Sequence, residues 1–275
     1  MTGSFAGRSV LMSGGSRGIG LAIARRLARV GANVTILAKT DTPHPRLEGT
    51  VHTAVEEIRA AGGGALGVVG DVRDDAAIAR AVEAAVTEFG GIDVVVNNAS
   101  VIDLTGSESL PAKRYDLMQD VNVRGTFMLT RAAVPHLRRS DRAHVLSLSP
   151  PVNLDPKWLG AFPGYMVAKY GMTLATLGFA HEYAGDRIAA NTLWPRTTIQ
   201  TAAVANVLGG AELMRRSRTP DIYADAAALV LARDPGSLTG QTLIVEDVLA
   251  EAGVRDLARY SPGVPEDELY PDVFL

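Results

Sequence analysis

Tyr165 and Lys169, four residues apart in the run YMVAK, have the most readily specified chemistry in this chain. On a helix that spacing puts both on one face, and an ammonium beside a phenol favours the phenolate by direct charge attraction. A phenol drawn down from its ordinary value of about 10 can give a proton to a carbonyl oxygen or take one from an alcohol at neutral pH. No side chain transfers a hydride, so oxidoreduction at such a pair needs a carrier such as a nicotinamide. Taken alone, the same spacing also suits an exposed helical pair.

A second chemical feature lies at Ser9 to Gly31, SVLMSGGSRGIGLAIARRLARVG. Val10, Leu11 and Met12 predict a buried strand. Gly14, Gly18 and Gly20 predict a turn, and the apolar spacing of Ile19, Ile23 and Leu27 predicts a helix ended by Gly31. Such a turn aims the first N–H groups of the helix at one point, where the helix dipole favours a phosphate, and glycine lets the ligand and the strand approach. Gly14, Ser16, Arg17, Gly18, Ile19 and Gly20 are the expected nucleotide contacts. The spacing is Gly-x-x-x-Gly-x-Gly, which a βα turn without a ligand also shows.

The end of the second strand, NVTILAK, bears on cofactor choice. An acid there would accept from a ribose 2′-hydroxyl, whereas a 2′-phosphate requires a cation instead. Ala38 is neutral, Lys39 is basic and Arg17 lies in the glycine turn, so NADP is expected and NAD is less favoured. The alternative leaves Lys39 to solvent and gives the acid's part to Asp41. Asp71, with Val72 beside it, ends a third strand, where it can reach an adenine amine, satisfy nearby backbone donors, or do both. Asn97, Asn98 and Ala99 follow a fourth strand, VVV; they are placed to bond neighbouring backbones and to line the nicotinamide ribose side. Asn122, inside a long helical region from Pro111 to Arg139 with Gly125 nearby, predicts a locally weakened helix offering a free carbonyl to water.

These positions need a scaffold in which strand and helix alternate. Helical patterns from Val51 and from Asp74 or Asp75 fall between the third and fourth strands and their neighbours, HVLSLS gives a fifth strand, and QTLIVED gives the last. The expected fold is α/β, a single-domain Rossmann-type doubly wound sheet of about seven parallel strands with helices on both faces. At 275 residues, 47% hydrophobic and 21% charged, the chain can bury a substantial core. A formal net charge of -3 gives no basic field for nucleic acid or a membrane surface. Cysteine is absent and the five histidines are scattered, so no metal site is expected. No apolar run suits a membrane span and no signal-peptide pattern opens the sequence, so a cytoplasmic protein is expected.

With SGGSRGIG, GDV, NNAS, DVNVRG and YMVAK in that order over about residues 7 to 245, the chain resembles the short-chain dehydrogenase/reductase family. PHPRLEGT, SLSPPVNL, WPRTTIQTAA and PDVFL point to a narrower branch of it. The resemblance implies hydride transfer between a nicotinamide and a carbonyl or alcohol substrate. Tyr165 is then the general acid/base, Lys169 its electrostatic and ribose-binding support, and Asn122 the anchor of a relay water. It also implies a serine at the end of the fifth strand; Ser149 is the candidate, although Pro150 occupies the family's usual place. After the sixth strand, Pro195, Thr197, Thr198 and Ile199 are the implied cofactor contacts. Arg196, where the family has glycine, either meets a substrate anion or turns outward. Residues 200–217 are the implied lid over a small, apolar substrate. The expected division is a catalytic domain over 1–247 and a tail over 248–275, packed on its own domain or a neighbour's, in a homodimer or homotetramer. An alternative, resting on Pro150 and Arg196, is a nucleotide-binding sensor or scaffold with weak or lost catalysis.

Overall fold

The computed structural model describes residues 5–45 and 47–275. Residues 1–4, at the start of the expected domain, and Arg46, in the PHPRLEGT stretch, lie outside the described residues. The strands are β1 (Ser9–Ser13), β2 (Asn33–Ala38), β3 (Ala65–Val69), β4 (Val94–Asn97), β5 (His144–Ser147), β6 (Ala189–Trp194) and β7 (Thr242–Ile244). They form one sheet in the order β3-β2-β1-β4-β5-β6-β7, and every pair is parallel. This is the expected doubly wound Rossmann-type fold. Because β1 lies between β2 and β4, successive crossovers leave the sheet in opposite directions, and a crevice opens where β1 and β4 end.

One face is covered by α1 (Gly18–Ala28), α2 (Val51–Ala60), α9 (Asp221–Leu231) and α10 (Val245–Glu251). The other is covered by α3 (Asp75–Phe89), α5 (Gly125–Leu137) and α7 (Pro163–Glu182). Three shorter helices, α4 (Ala112–Met118), α6 (Pro156–Ala161) and α8 (Gly210–Arg215), lie around the crevice end. Local chemistry fixes the helix ends. Asp74 caps α3 by accepting from the Ala76 N–H at 2.9 Å, and Gly90 closes it at φ 81°. Thr50 and Thr53 cap α2 reciprocally.

Three expectations change in detail. The helical region from Pro111 to Arg139 is α4, a π-helical segment Gln119–Arg124 and α5, so the weakening expected at Asn122 is a real widening of the helix. β5 ends at Ser147, two residues before Ser149. β7 passes straight into α10, so the boundary drawn between 247 and 248 falls inside a helix. Beyond α10 the tail runs back over the same chain, burying Tyr260, Val264, Leu269 and Phe274. Among the described residues, no helix is long and apolar enough to cross a membrane.

His144 on β5 is buried, and its Nε2–H donates to the Arg233 carbonyl at 3.1 Å. Burial pushes this imidazole down to about 4, helped by the Arg8 and Arg142 charges and opposed by the Arg233 contact. As pH falls below the unfolded value of about 6.5, the unfolded chain takes up a proton that the folded chain refuses, so stability falls between pH 6.5 and about 4. The expected loss at this single site is about 3 kcal/mol. Urea midpoints at pH 7 and 4.5 for the wild type and His144→Gln check it: the variant should lose distinctly less stability on acidification.

Candidate active site

A cleft of about 1170 Å³ runs along the carboxyl edge of the sheet. At one end is the turn between β1 and α1, where Gly14 and Gly18 have φ of 75° and 54°. Asn98 locks this turn by donating from Nδ2 to the carbonyls of Ser13 (3.1 Å) and Gly14 (2.7 Å). A Cβ on Gly20 would stand 2.5 Å from that Nδ2 and 2.6 Å from the Gly14 oxygen. The N-terminus of α1 has no side-chain cap, so its first N–H groups remain available to an anion.

The end of the cleft beside β2 and β3 carries cations. Arg17 donates to the carbonyls of Glu48 (2.8 Å) and Gly49 (2.7 Å) and to Thr40 Oγ1 (3.0 Å), so the 40–50 segment holds its guanidinium in place. Lys39 lines the cleft 3.6 Å from Asp71. Asp71 accepts from the Arg73 N–H at 3.0 Å and from its guanidinium at 2.7 Å. Burial works against its ionisation, but the Arg73 hydrogen bonds and the Lys39 and Arg73 charges hold its carboxyl below the ordinary range. The backbone-satisfying part foreseen for Asp71 is therefore present, and the residue still faces the cleft. Asp41, the rival acid, pairs instead with exposed His52 at 2.7 Å.

At the other end, α7 places Tyr165 and Lys169 in the cleft wall, both buried. Lys169 Nζ donates to the Leu148 carbonyl at 2.6 Å and lies 4.9 Å from the centre of the Trp194 ring. Burial lowers the lysine to about 7, with Asp272 acting upward. Burial also pushes the Tyr165 phenol up, and Asp272 pushes it further. The phenol is thus shifted up, opposite to the direction that the Tyr–Lys spacing predicts, and the Lys169 ammonium donates to the Leu148 carbonyl instead.

Gly14, Ser16, Arg17, Gly18, Ile19, Lys39, Asp71, Val72, Asn98, Ala99, Pro195, Thr198 and Ile199 all line this cleft with Tyr165 and Lys169. Gly20, Thr197, Asn122 and Ser149 stand behind its surface. Gly20 serves close packing, while Thr197 bridges to Pro271 in the tail. Asn122 accepts from the Val101 N–H at 2.8 Å and donates to the Val101 carbonyl at 3.0 Å, pinning the loop after β4. Ser149 Oγ is fully buried and accepts from Thr173 Oγ1 at 3.0 Å. Arg196 turns outward into a bidentate pair with Asp247 at 2.7 and 2.8 Å. Of the two positions open to it, the outward one is occupied.

Sequence reasoning missed Trp158, Phe162 and Asp272, which line the reacting end. The apolar ending PDVFL was the available signal for the last of these. The residues present fit a dinucleotide: a glycine cradle beside an uncapped helix, cations at the adenosine end and a buried lysine and tyrosine at the other. Among the described residues, no group of three or more His, Cys, Asp or Glu could hold a metal ion.

The family model for short chain dehydrogenase matches residues 8–209. The chain belongs to the short-chain dehydrogenase/reductase family, whose members are nicotinamide-dependent oxidoreductases. Hydroxysteroid dehydrogenase-like protein 2 of Danio rerio is 50% identical over 276 aligned residues, covering 100% of this chain and 65% of that protein. The chain thus spans about two thirds of that relative's length. A crystal structure of a short chain dehydrogenase from Mycobacterium thermoresistibile is 54% identical, with a TM-score of 0.93 over 99% of this chain and 96% of that one. A metagenomic short-chain oxidoreductase crystallised with NADP is 27% identical, with a TM-score of 0.71 over 88% and 97%.

Removing the Asn122 side chain leaves the Val101 N–H and carbonyl without their partners. Asn122→Ala is expected to cost about 1–3 kcal/mol, read as a lower urea midpoint. Asn122→Asp should not restore it, because a carboxylate cannot donate to the Val101 carbonyl.

Proposed function

We propose that the protein is an NADP-dependent oxidoreductase that interconverts an apolar carbonyl compound and its alcohol, with Tyr165 as the general acid/base. The observation that carries this reading is the single cleft that joins the glycine turn to the buried Tyr165–Lys169 pair. When bound, the nicotinamide supplies or accepts the hydride. Tyr165 gives its proton to the substrate oxygen in reduction, and Lys169 supports it electrostatically and holds the nicotinamide ribose. The phenol, which burial pushes up, is protonated at neutral pH, and that suits donation.

Lys39 in the cleft, Arg17 held beside Thr40, and the displacement of Asp41 support NADP over NAD. The relative crystallised with NADP agrees with this. The apolar substrate class is supported by Val101, Ile102, Leu104, Trp158 and Phe162 at the reacting end. Val204, Leu208 and Leu213 from the expected lid face the same cleft. Exposed Phe127 on α5 and Val167 and Leu174 on α7 support assembly as a homodimer or homotetramer. The sensor alternative keeps one of its two supports, the altered strand end at Pro150, because Arg196 does not reach the cleft.

With NADPH and a panel of aliphatic, steroid, quinone and acyl carbonyl compounds, Tyr165→Phe should lose about 10²–10⁴-fold in turnover with cofactor affinity unchanged. Cofactor binding without turnover across the panel favours the sensor. Lys39→Ala should weaken NADPH binding about tenfold or more while leaving NADH untouched, measured by calorimetric titration of both.

A further inference from the structure

The chain's tail is built into the reacting end. The Thr198 N–H donates to the Tyr270 carbonyl and the Asp272 N–H to the Arg196 carbonyl, each at 2.9 Å. Trp194 Nε1 donates to the Val273 carbonyl at 3.0 Å, and Asn153 Nδ2 to the Phe274 carbonyl at 3.1 Å. Phe274 is fully buried among Trp158, Phe162, Tyr165, Tyr170 and Trp194, with ring centres 5.2 to 6.4 Å away, and it is stacked on Tyr165. Its φ of 76° is a left-handed conformation that an aromatic residue rarely adopts, and it persists because these contacts over-determine it.

So anchored, the tail brings Asp272 into the wall that Tyr165 and Lys169 also line. The close partners of Lys169, the Leu148 carbonyl, Met172 Sδ and the Trp194 ring, are all uncharged. Asp272 is flanked by Val273, which binds the Trp194 ring that Lys169 overlies, and by Phe274, which stacks on Tyr165, so its carboxyl is carried between the two side chains' neighbours. The other groups facing Asp272 are engaged elsewhere. Glu246 on α10 accepts the Arg196 N–H at 2.9 Å, Arg196 pairs with Asp247, and Tyr223 on α9 donates to the Leu193 carbonyl.

We propose that Asp272 is the through-space counter-ion of Lys169, a positioning residue carried by the tail that keeps the ammonium charged inside the cleft. The proposal rests on the reading of Tyr165 and Lys169 as the reacting pair. A carboxylate near a buried ammonium favours its charged form. Burial draws the Lys169 ammonium down and the Asp272 charge acts the other way, the two together leaving it at about 7. Burial draws Asp272 up at the same time, so the two groups titrate as a pair.

The test is a pH titration of the full chain, without nucleotide, carrying ¹³C at lysine Cε, with the Lys169 resonance assigned from Lys169→Met. Asp272→Asn should lower the Lys169 midpoint by about one pH unit, and Asp272→Glu should restore most of it. Phe274→Ala leaves the carboxylate in the chain but removes its anchor, so it should shift the midpoint the same way. In turnover, the basic limb of the Asp272→Asn pH profile should move down with the midpoint. An unchanged or raised midpoint in Asp272→Asn overturns the proposal; if that variant does not fold, an unchanged midpoint in Phe274→Ala overturns it. Wild-type chain that binds NADPH but reduces no carbonyl compound would sink the oxidoreductase reading and leave the Lys169 titration to decide this one.

Discussion

Burying the Lys169 ammonium is the constraint on which the reacting end depends. Taking an ammonium out of water costs several kcal/mol unless polar groups replace the lost hydration. Those groups come from three places far apart in sequence. The Leu148 carbonyl lies just past β5, the Trp194 ring closes β6, and the tail docks on Trp194 through Val273. The Leu148 carbonyl is free for this use because the β5 ladder ends at Ser147, and Pro150 and Pro151 have no N–H with which to extend it. One buried charge thus ties together two strand ends and the tail.

A buried polar network beneath the pair fixes the helix that bears it. Thr176 Oγ1 on α7 is hydrogen-bonded to Ser147 Oγ at 2.7 Å, and Asn97 at the end of β4 donates to Ser147 Oγ (3.2 Å) and to Thr130 Oγ1 (3.0 Å). One turn along α7, the single Thr173 hydroxyl proton lies between the Pro150 carbonyl at 2.6 Å and Ser149 Oγ at 3.0 Å. In a low-dielectric interior such bonds discriminate strongly between registers, because a slip leaves several donors unpaired. Ser149 therefore meets α7 through Thr173.

Much of this was legible in the sequence because it is local. The glycine turn, the strand pattern of Val10 to Met12 and the helix start at Asp74 or Asp75 each depend on neighbours within a few residues. The expectation of a weakened helix at Asn122 came from an amide and a glycine close together, and a π-helical segment lies there. What was not legible depends on distance. Tyr165 and Lys169 share a helix face as their spacing requires, yet the protonation of each follows from burial by β5, β6 and the tail. Whether Arg196 pointed in or out depended on Asp247, 51 residues away. No periodicity marks Asp272, whose position follows from Phe274 filling a cage of rings contributed by α6, α7 and β6.

The two ends of the cleft are finished by the same device. The βα repeat supplies the uncapped helix, the crevice and α7, features that any chain with this sheet order can share. Segments outside the repeat supply the charge that tunes them. At the adenosine end, the 40–50 segment offers carbonyls that orient Arg17; at the reacting end, residues 270–275 supply Asp272. In both cases backbone hydrogen bonds fix the segment or its charged partner, so charge placement is insulated from side-chain motion. The regular fold positions the common chemistry, and the irregular segments specialise it.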